Sequence, residues 1–229
     1  RVLFRSNQSG KILASFGDNQ LVLKQLDGEK GEILSTGKLA LTGDELNLND
    51  ALTQADNIQI EGRNLSHQRG QMLQTGSEKG QIKLAQTLDN QSGNISSQGT
   101  LNLDINKLAN SQGVVVAAKV GALILNAKDG VDNTQGTLFA EQGLTLNAPL
   151  LTNVDGKVIS KQGNILIATE NLQGQRGEIV ADDELELHGQ EVDLTEANTQ
   201  AKHIQLTANN LNHQQATMTQ LGEQKGSII

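Results

Sequence analysis

The sequence predicts an all-β fold, a right-handed parallel β-helix (β-solenoid) of about eleven coils of ~20–21 residues. Three observations predict it. Aliphatic residues alternate with polar ones in short runs such as LNLDIN (101–106), the period of a strand with one buried face. One frame of small, aliphatic and amide residues recurs along all 229 residues. Aromatics supply only 1% of the chain, with no Trp and no Tyr, so the core must be narrow and filled by Leu, Ile, Val and Ala.

The corner comes first in each unit. LDNQSGNISSQGTLNLDIN (88–106) reads as Asn90, then the anchor Gly93, then Ile95. Its Asn, Gln and Ser would suit a loop or a disordered tract, but strict alternation of the aliphatics selects a strand. The frame is anchored at Gly10, Gly31, Thr53, Gly70, Gly93, Gly113, Gly136, Gly156, Gly177, Thr199 and Ala216, spaced by 17–23 residues. Three residues before an anchor stand Asn90, Asn110, Asn133 and Asn153, with His67 and His213 in the same place in two other units. Both residue types can satisfy the backbone of a turn, so a corner hydrogen bond is their expected job.

The first strand follows the anchor. Ile33, Met72, Ile95, Val115, Leu138 and Ile179 stand two residues on and are predicted to point inward, with Ala55 and Ala201 in the units anchored at Thr. The second strand carries an aliphatic pair, such as Leu39/Leu41, Ile82/Leu84, Leu101/Leu103 or Ile165/Ile167. A closing aliphatic, such as Leu65, Leu88, Leu108 or Leu172, precedes the next corner. The most apolar stretch, GVVVAAKVGALIL (113–125), is too short to span a membrane and carries Lys119, so two consecutive buried strands are expected there. One unit buries too little to offset the entropy of ordering it. Stacked units share strand hydrogen bonds and cover one another's side chains. The right hand is the usual choice for parallel crossovers.

A longer repeat runs above the frame. ALTQADNIQIEGRNLSHQ (51–68) matches ANTQAKHIQLTANNLNHQ (197–214) at an offset of 146 residues. Seven units therefore read as copied in a block, and residues 1–229 as a single β-helical repeat domain. The chain starts with Arg1 and shows no recognisable leader, which suggests a piece of a longer filament.

Composition narrows the function. The net charge is −8 and the 18 Lys and Arg are scattered, with neither a basic cluster nor an aromatic stacking platform, so no nucleic-acid partner is expected. Without Cys there is neither a disulfide nor a thiolate metal site. No metal, cofactor or membrane insertion is expected. The acidic runs DDELE (182–186) and KDGVDN (128–133) lack calcium-loop spacing and read as solvated corners. A polysaccharide-processing β-helix would need paired carboxylates with a cation in a groove. Glu184 and Glu186 would share a strand face, but no basic residue recurs beside them in the sequence, so no catalytic residue is assigned. The loop QTGSEKGQ (74–81) returns as QLGEQKGS (220–227), which favours a regular corner over a receptor loop.

LDNQSGNISSQGTLNL (88–103), LANSQGVV (108–115), VDNTQGTL (131–138) and LTNVDGKV (151–158) fit the pattern Leu-x-Asn-x-x-Gly-x-Ile followed by Gly-x-Leu-x-Leu. In this the chain resembles the haemagglutinin repeats of filamentous haemagglutinin and the contact-dependent growth inhibition exoproteins. The resemblance implies a secreted cell-surface protein of a Gram-negative bacterium, exported by an outer-membrane two-partner secretion transporter. It implies a shaft that carries a distal region to a receptor on a host or neighbouring cell. A direct adhesin, binding through its own faces, stays open as the alternative.

Overall fold

Alternation along each unit builds strands, and the recurring frame stacks them. The computed structural model describes residues 4–229, so Arg1 lies outside the described residues. All regular structure there is β-strand, in two sheets of sixteen and eleven strands, and the pairings are parallel. Each coil gives one strand to the eleven-stranded sheet and two segments to the other. In five coils the two segments fuse into ten-residue strands: Lys38–Asn47, Asn57–Ser66, Leu123–Asp132, Glu184–Asp193 and His203–Asn212. Gly43, Gly62 and Gly189 sit midway along three of them.

The coil from Gly93 shows how the core is filled. Ile95, Leu101, Leu103, Ile105 and Leu108 point inward and are buried, while Asn94 and Gln91 face water. The next coil lays Val115 on Ile95 and Leu123 on Leu101 in register. Identical inward positions therefore stack, forming one continuous aliphatic cluster from Leu26 to Leu206. This is the narrow core expected of a chain almost without aromatics. Neighbouring coils sit about 4.8 Å apart, so eleven make a rod on the order of 50 Å long.

Register corrects the frame in two coils. Thr53 pairs with Ile33 and Met72, and Thr199 with Ile179 and Met218, so both threonines are inward strand residues rather than anchors. The anchors there are Ala51 and Ala197, each preceded by the left-handed residue that precedes the glycine elsewhere. Ala55 and Ala201 consequently occupy the second inward position of the strand, aligned with Gln74 and Gln220. The residue pattern is offset in these coils because alanine at the anchor and threonine on the inward face are both atypical.

The apolar stretch 113–125 also differs from expectation. Val115, Ala117, Leu123 and Leu125 are buried, but Val114, Val116 and Ile124 lie on the outer faces and are only half-buried. Among the described residues no helix is long and apolar enough to cross a membrane.

Candidate functional site

The corner is the most specific chemistry in the molecule. In the coil from Asn90, the Gly93 N–H donates to the Asn90 carbonyl at 3.0 Å, closing a four-residue turn. Its third residue, Ser92, has φ +55°, and Ser9, Lys30, Asp50, Arg69, Gln112, Gln135, Asp155, Arg176, Glu196 and Gln215 do the same in the other coils. A left-handed φ costs an L-residue on the order of 1–2 kcal/mol. Two further backbone donors offset it, because Asn90 N–H and Ser92 N–H bond the next coil at 2.7 and 3.0 Å, each worth ~0.5–1.5 kcal/mol.

The anchor glycine is needed for close approach, since the strained φ belongs to its neighbour. A Cβ on Gly113 would lie 2.1 Å from the Asn90 carbonyl oxygen and 2.5 Å from Asn110 Oδ1. Gly31, Gly136, Gly156 and Gly177 meet the carbonyl of the preceding coil's Asn at 2.2–2.3 Å in the same way, and Gly93 meets that of His67 at 2.4 Å. Gly70 has more room, 2.7 Å from the Leu48 oxygen, while Gly10 meets Asn7 Oδ1 of its own coil at 2.7 Å. Ala51 and Ala197 follow coils whose corner residue is Gly28 or Gly174, and there a methyl group is accommodated.

Inside the corners runs a one-directional amide chain. Asn90 Nδ2 donates to Asn110 Oδ1 at 2.7 Å, Asn110 to Asn133 at 2.8 Å, and Asn133 to Asn153 at 2.7 Å. Each amide also donates to the anchor carbonyl of its own coil, at 3.1–3.3 Å. All four asparagines are fully buried. His67 starts the chain, its Nδ1 being 2.8 Å from Asn90 Oδ1. Because Asn90 Nδ2 is committed forward, Oδ1 is the acceptor and Nδ1 carries the proton, an assignment made from the network. Nε2 is then an unprotonated nitrogen, buried and without a partner. Burial pulls the His67 pKa below its ordinary value, and the bond to Asn90 opposes this only in part. His213, in the last described corner, is partly exposed.

The acidic runs are more connected than the sequence suggested. Glu184 and Glu186 do share an outer face, with Leu185 and Leu187 buried beneath. Basic groups from the same and the next coil stand beside them: Lys202 bonds Asp182 at 3.0 Å, His188 bonds Glu186 at 2.6 Å, and His203 lies 3.8 Å from Glu184. Lys202 is about twenty residues from Asp182, so only coil stacking brings them together. The hydrogen bond and charge of Asp182 hold the Lys202 pKa above its ordinary value. The side chains of the Lys202–Asp182 and His188–Glu186 pairs are about half exposed, so both contacts are solvated and add little to stability. Asp132 of the other run accepts from Thr134 N–H at 3.0 Å and from its hydroxyl at 2.7 Å. Burial raises its pKa, but these bonds, with Ser111 and Lys107, leave it below the ordinary carboxylate value. Among the described residues no group of three or more His, Asp or Glu is placed to hold a metal ion.

Two shallow grooves occupy matching places in the copied blocks. One, of about 310 Å³, lies among Gln25, Asp27, Glu45, Asn47, Asn64 and Ser66. The other, of about 430 Å³, lies among Asn171, Gln173, Glu191, Asp193, Asn210 and Asn212. Asn64 donates to Glu45 at 3.1 Å and Asn210 to Glu191 at 2.6 Å. The loop at 74–81 is closed from inside, the Gln74 Oε1 accepting from Ile58 N–H at 2.9 Å, and Gln220 does the same for Ile204 at 3.1 Å.

A stack of parallel coils, each turned through a left-handed residue and with Asn and Gly at the corners of its middle, defines a β-solenoid of repeated structural units. A model of the haemagglutinin repeat matches residues 120–189 and 173–223. Toxin CdiA of Yersinia pestis is 30% identical over 219 residues, covering 88% of this chain and 6% of that protein. The chain thus spans about 6% of the length of the curated relative it matches. No solved structure gives a significant match. The chain belongs to the family of filamentous haemagglutinin and contact-dependent growth inhibition exoproteins.

Proposed function

We propose that this chain is a segment of the shaft of a secreted filament on a Gram-negative cell surface, exported by an outer-membrane two-partner secretion transporter. The shaft holds a distal adhesive or toxic region away from the cell, and no catalysis is assigned to these residues. One observation carries the reading. The inward positions of every interior coil are taken by packed side chains, and residues 51–68 recur as 197–214 at an offset of 146 residues, a repetition that suits a scaffold lengthened by duplication more than a unique site. The competing reading, a direct adhesin, draws on the paired grooves at Glu45/Asn64 and Glu191/Asn210.

Removing residues 10–155 from the exoprotein, together with Glu191→Ala and Asn210→Ala in the groove that remains, separates the two. Gly156 then takes the place of Gly10, and the remaining coils restack. The shaft reading expects export, adhesion or delivery to persist on a filament shorter by about 34 Å, seven coils at ~4.8 Å each. A folded, exported filament that no longer binds its target cell would move the contact surface into this segment and replace the shaft with the direct adhesin.

A further inference from the structure

We propose that the outer face of the eleven-stranded sheet is a self-association surface, on which a second copy of this chain docks with its long axis reversed. Three observations carry this. The first is an apolar rank. Val116, Phe139, Ile159 and Val180 occupy the same outward position in four successive coils and are paired in register. Alternation hides one face of each strand, and here the other face is apolar as well.

The second is charge. Charged residues make up 19% of the chain, whose net charge is −8. The eleven four-residue strands of this sheet hold only Lys11, Glu32, Lys157 and Glu178. These neutralise one another in pairs, at 2.8 and 3.1 Å. The other sheet presents Glu61, Lys83, Asp104, Glu184 and Glu186 on its outer surface. Two copies of an anionic rod repel least along the neutral sheet.

The third is self-complementarity. A two-fold axis between the coils of Phe139 and Ile159, running along the strands, sets Phe139 on the partner's Ile159 and Val116 on the partner's Val180. It sets Ser96 against the partner's Gln200, so polar meets polar one coil further out. The row of Lys157 and Glu178 stays together at one rim, where water reaches it. The parallel alternative lays Lys157 on Ile159 and Glu178 on Val180, which strips charges of water without pairing them. The reversed pairing overlaps eight coils of ~13 Å strands, about 500 Å² per copy and ~1,000 Å² in total, the lower bound for a specific interface and one suited to reversible association.

Sedimentation of the chain alone, with thermal melting as the folding control, tests the pairing. The wild type is expected to dimerise reversibly at a concentration on the order of 10–100 µM. Phe139→Lys and Ile159→Glu should each weaken the dimer at least tenfold without lowering the melting temperature. An equimolar mixture of the two should dimerise again, because the reversed axis brings the introduced lysine of one copy to the introduced glutamate of the other. Ile124→Lys, on the outer face of the other sheet, should change nothing. If either charged variant fails to fold, the near-isosteric double variant Val116→Thr/Val180→Thr takes its place, with about fivefold weakening expected. A wild type that stays monomeric at about 200 µM overturns the proposal. So does a folded pair of charge variants whose mixture stays monomeric, or a wild type that binds phosphatidylcholine vesicles through this face without self-association.

Discussion

The coils of the middle and those of the two copied blocks turn the same corner with different side chains. From Asn90 to Asn153 the corner holds a buried amide, bonded forward to the next coil. The blocks fill that place with Gly28, Leu48 and His67, and again with Gly174, Leu194 and His213. The backbone hardly registers the change, for the residue before the anchor keeps φ between +51° and +58° throughout. The turn is therefore set by backbone bonds within and between coils. What the asparagines add is a polar spine, which obliges the following anchor to be glycine. Where the preceding corner is glycine or leucine instead, the anchor can be alanine, as at Ala51, Ala197 and Ala216.

The largest effect that sharpens this contrast is at the anchors. Gly113→Ala forces a methyl group into the Asn90 carbonyl and should cost about 3 kcal/mol or more in urea unfolding. Ala51→Gly, the reverse change in a block, should cost only about 0.5–1 kcal/mol, from lost backbone restriction. Equal costs would mean that the spine does not dictate the anchor. Next in size, Asn110→Ala interrupts the amide chain. It leaves Asn133 Oδ1 without its donor and should cost about 2 kcal/mol.

A smaller effect belongs to the start of the spine. The His67 pKa is depressed by burial in the folded state, so the unfolded chain takes up the proton first. Its contribution to stability is whole above pH 6.5 and is lost progressively as pH falls from there toward the depressed folded value. His67→Asn, which continues the spine with its own residue type, should flatten the stability profile in that window. A profile unchanged by the substitution would show that the ring is not the group titrating. Smallest of all, Arg69→Ala breaks an exposed pair with Asp50 at 2.8 Å and should leave the unfolding midpoint where it is.

Much of the fold was legible in the sequence, and the reason is periodicity. Ile95, Leu101, Leu103 and Leu108 are buried as alternation required. The misplaced anchors at Thr53 and Thr199 mark where that reasoning fails. Buried threonine and anchoring alanine break the residue pattern while keeping the backbone register. Contacts between coils were hidden for another reason. The Lys202–Asp182 pair and the apolar rank from Val116 to Val180 join residues about twenty apart, and their alignment appears only once the strands are paired. The forward bonds of the asparagine spine were hidden in the same way, since the frame places each amide in its own corner and says nothing of the next.

If one frame is one coil, residues 93–112 can be deleted without breaking the stack. Gly113 then replaces Gly93, and Val114 can pair with Gln71 as Asn94 does now. The expected product is a folded rod with unchanged β-sheet circular dichroism and a modest fall in the unfolding midpoint, since each coil contacts only its neighbours. A ten-residue deletion, 98–107, leaves half a coil and unpaired strand edges, and should abolish cooperative unfolding. Loss of structure on removing the whole unit, or tolerance of the half unit equal to that of the whole, would show that the frame is not the unit of stacking.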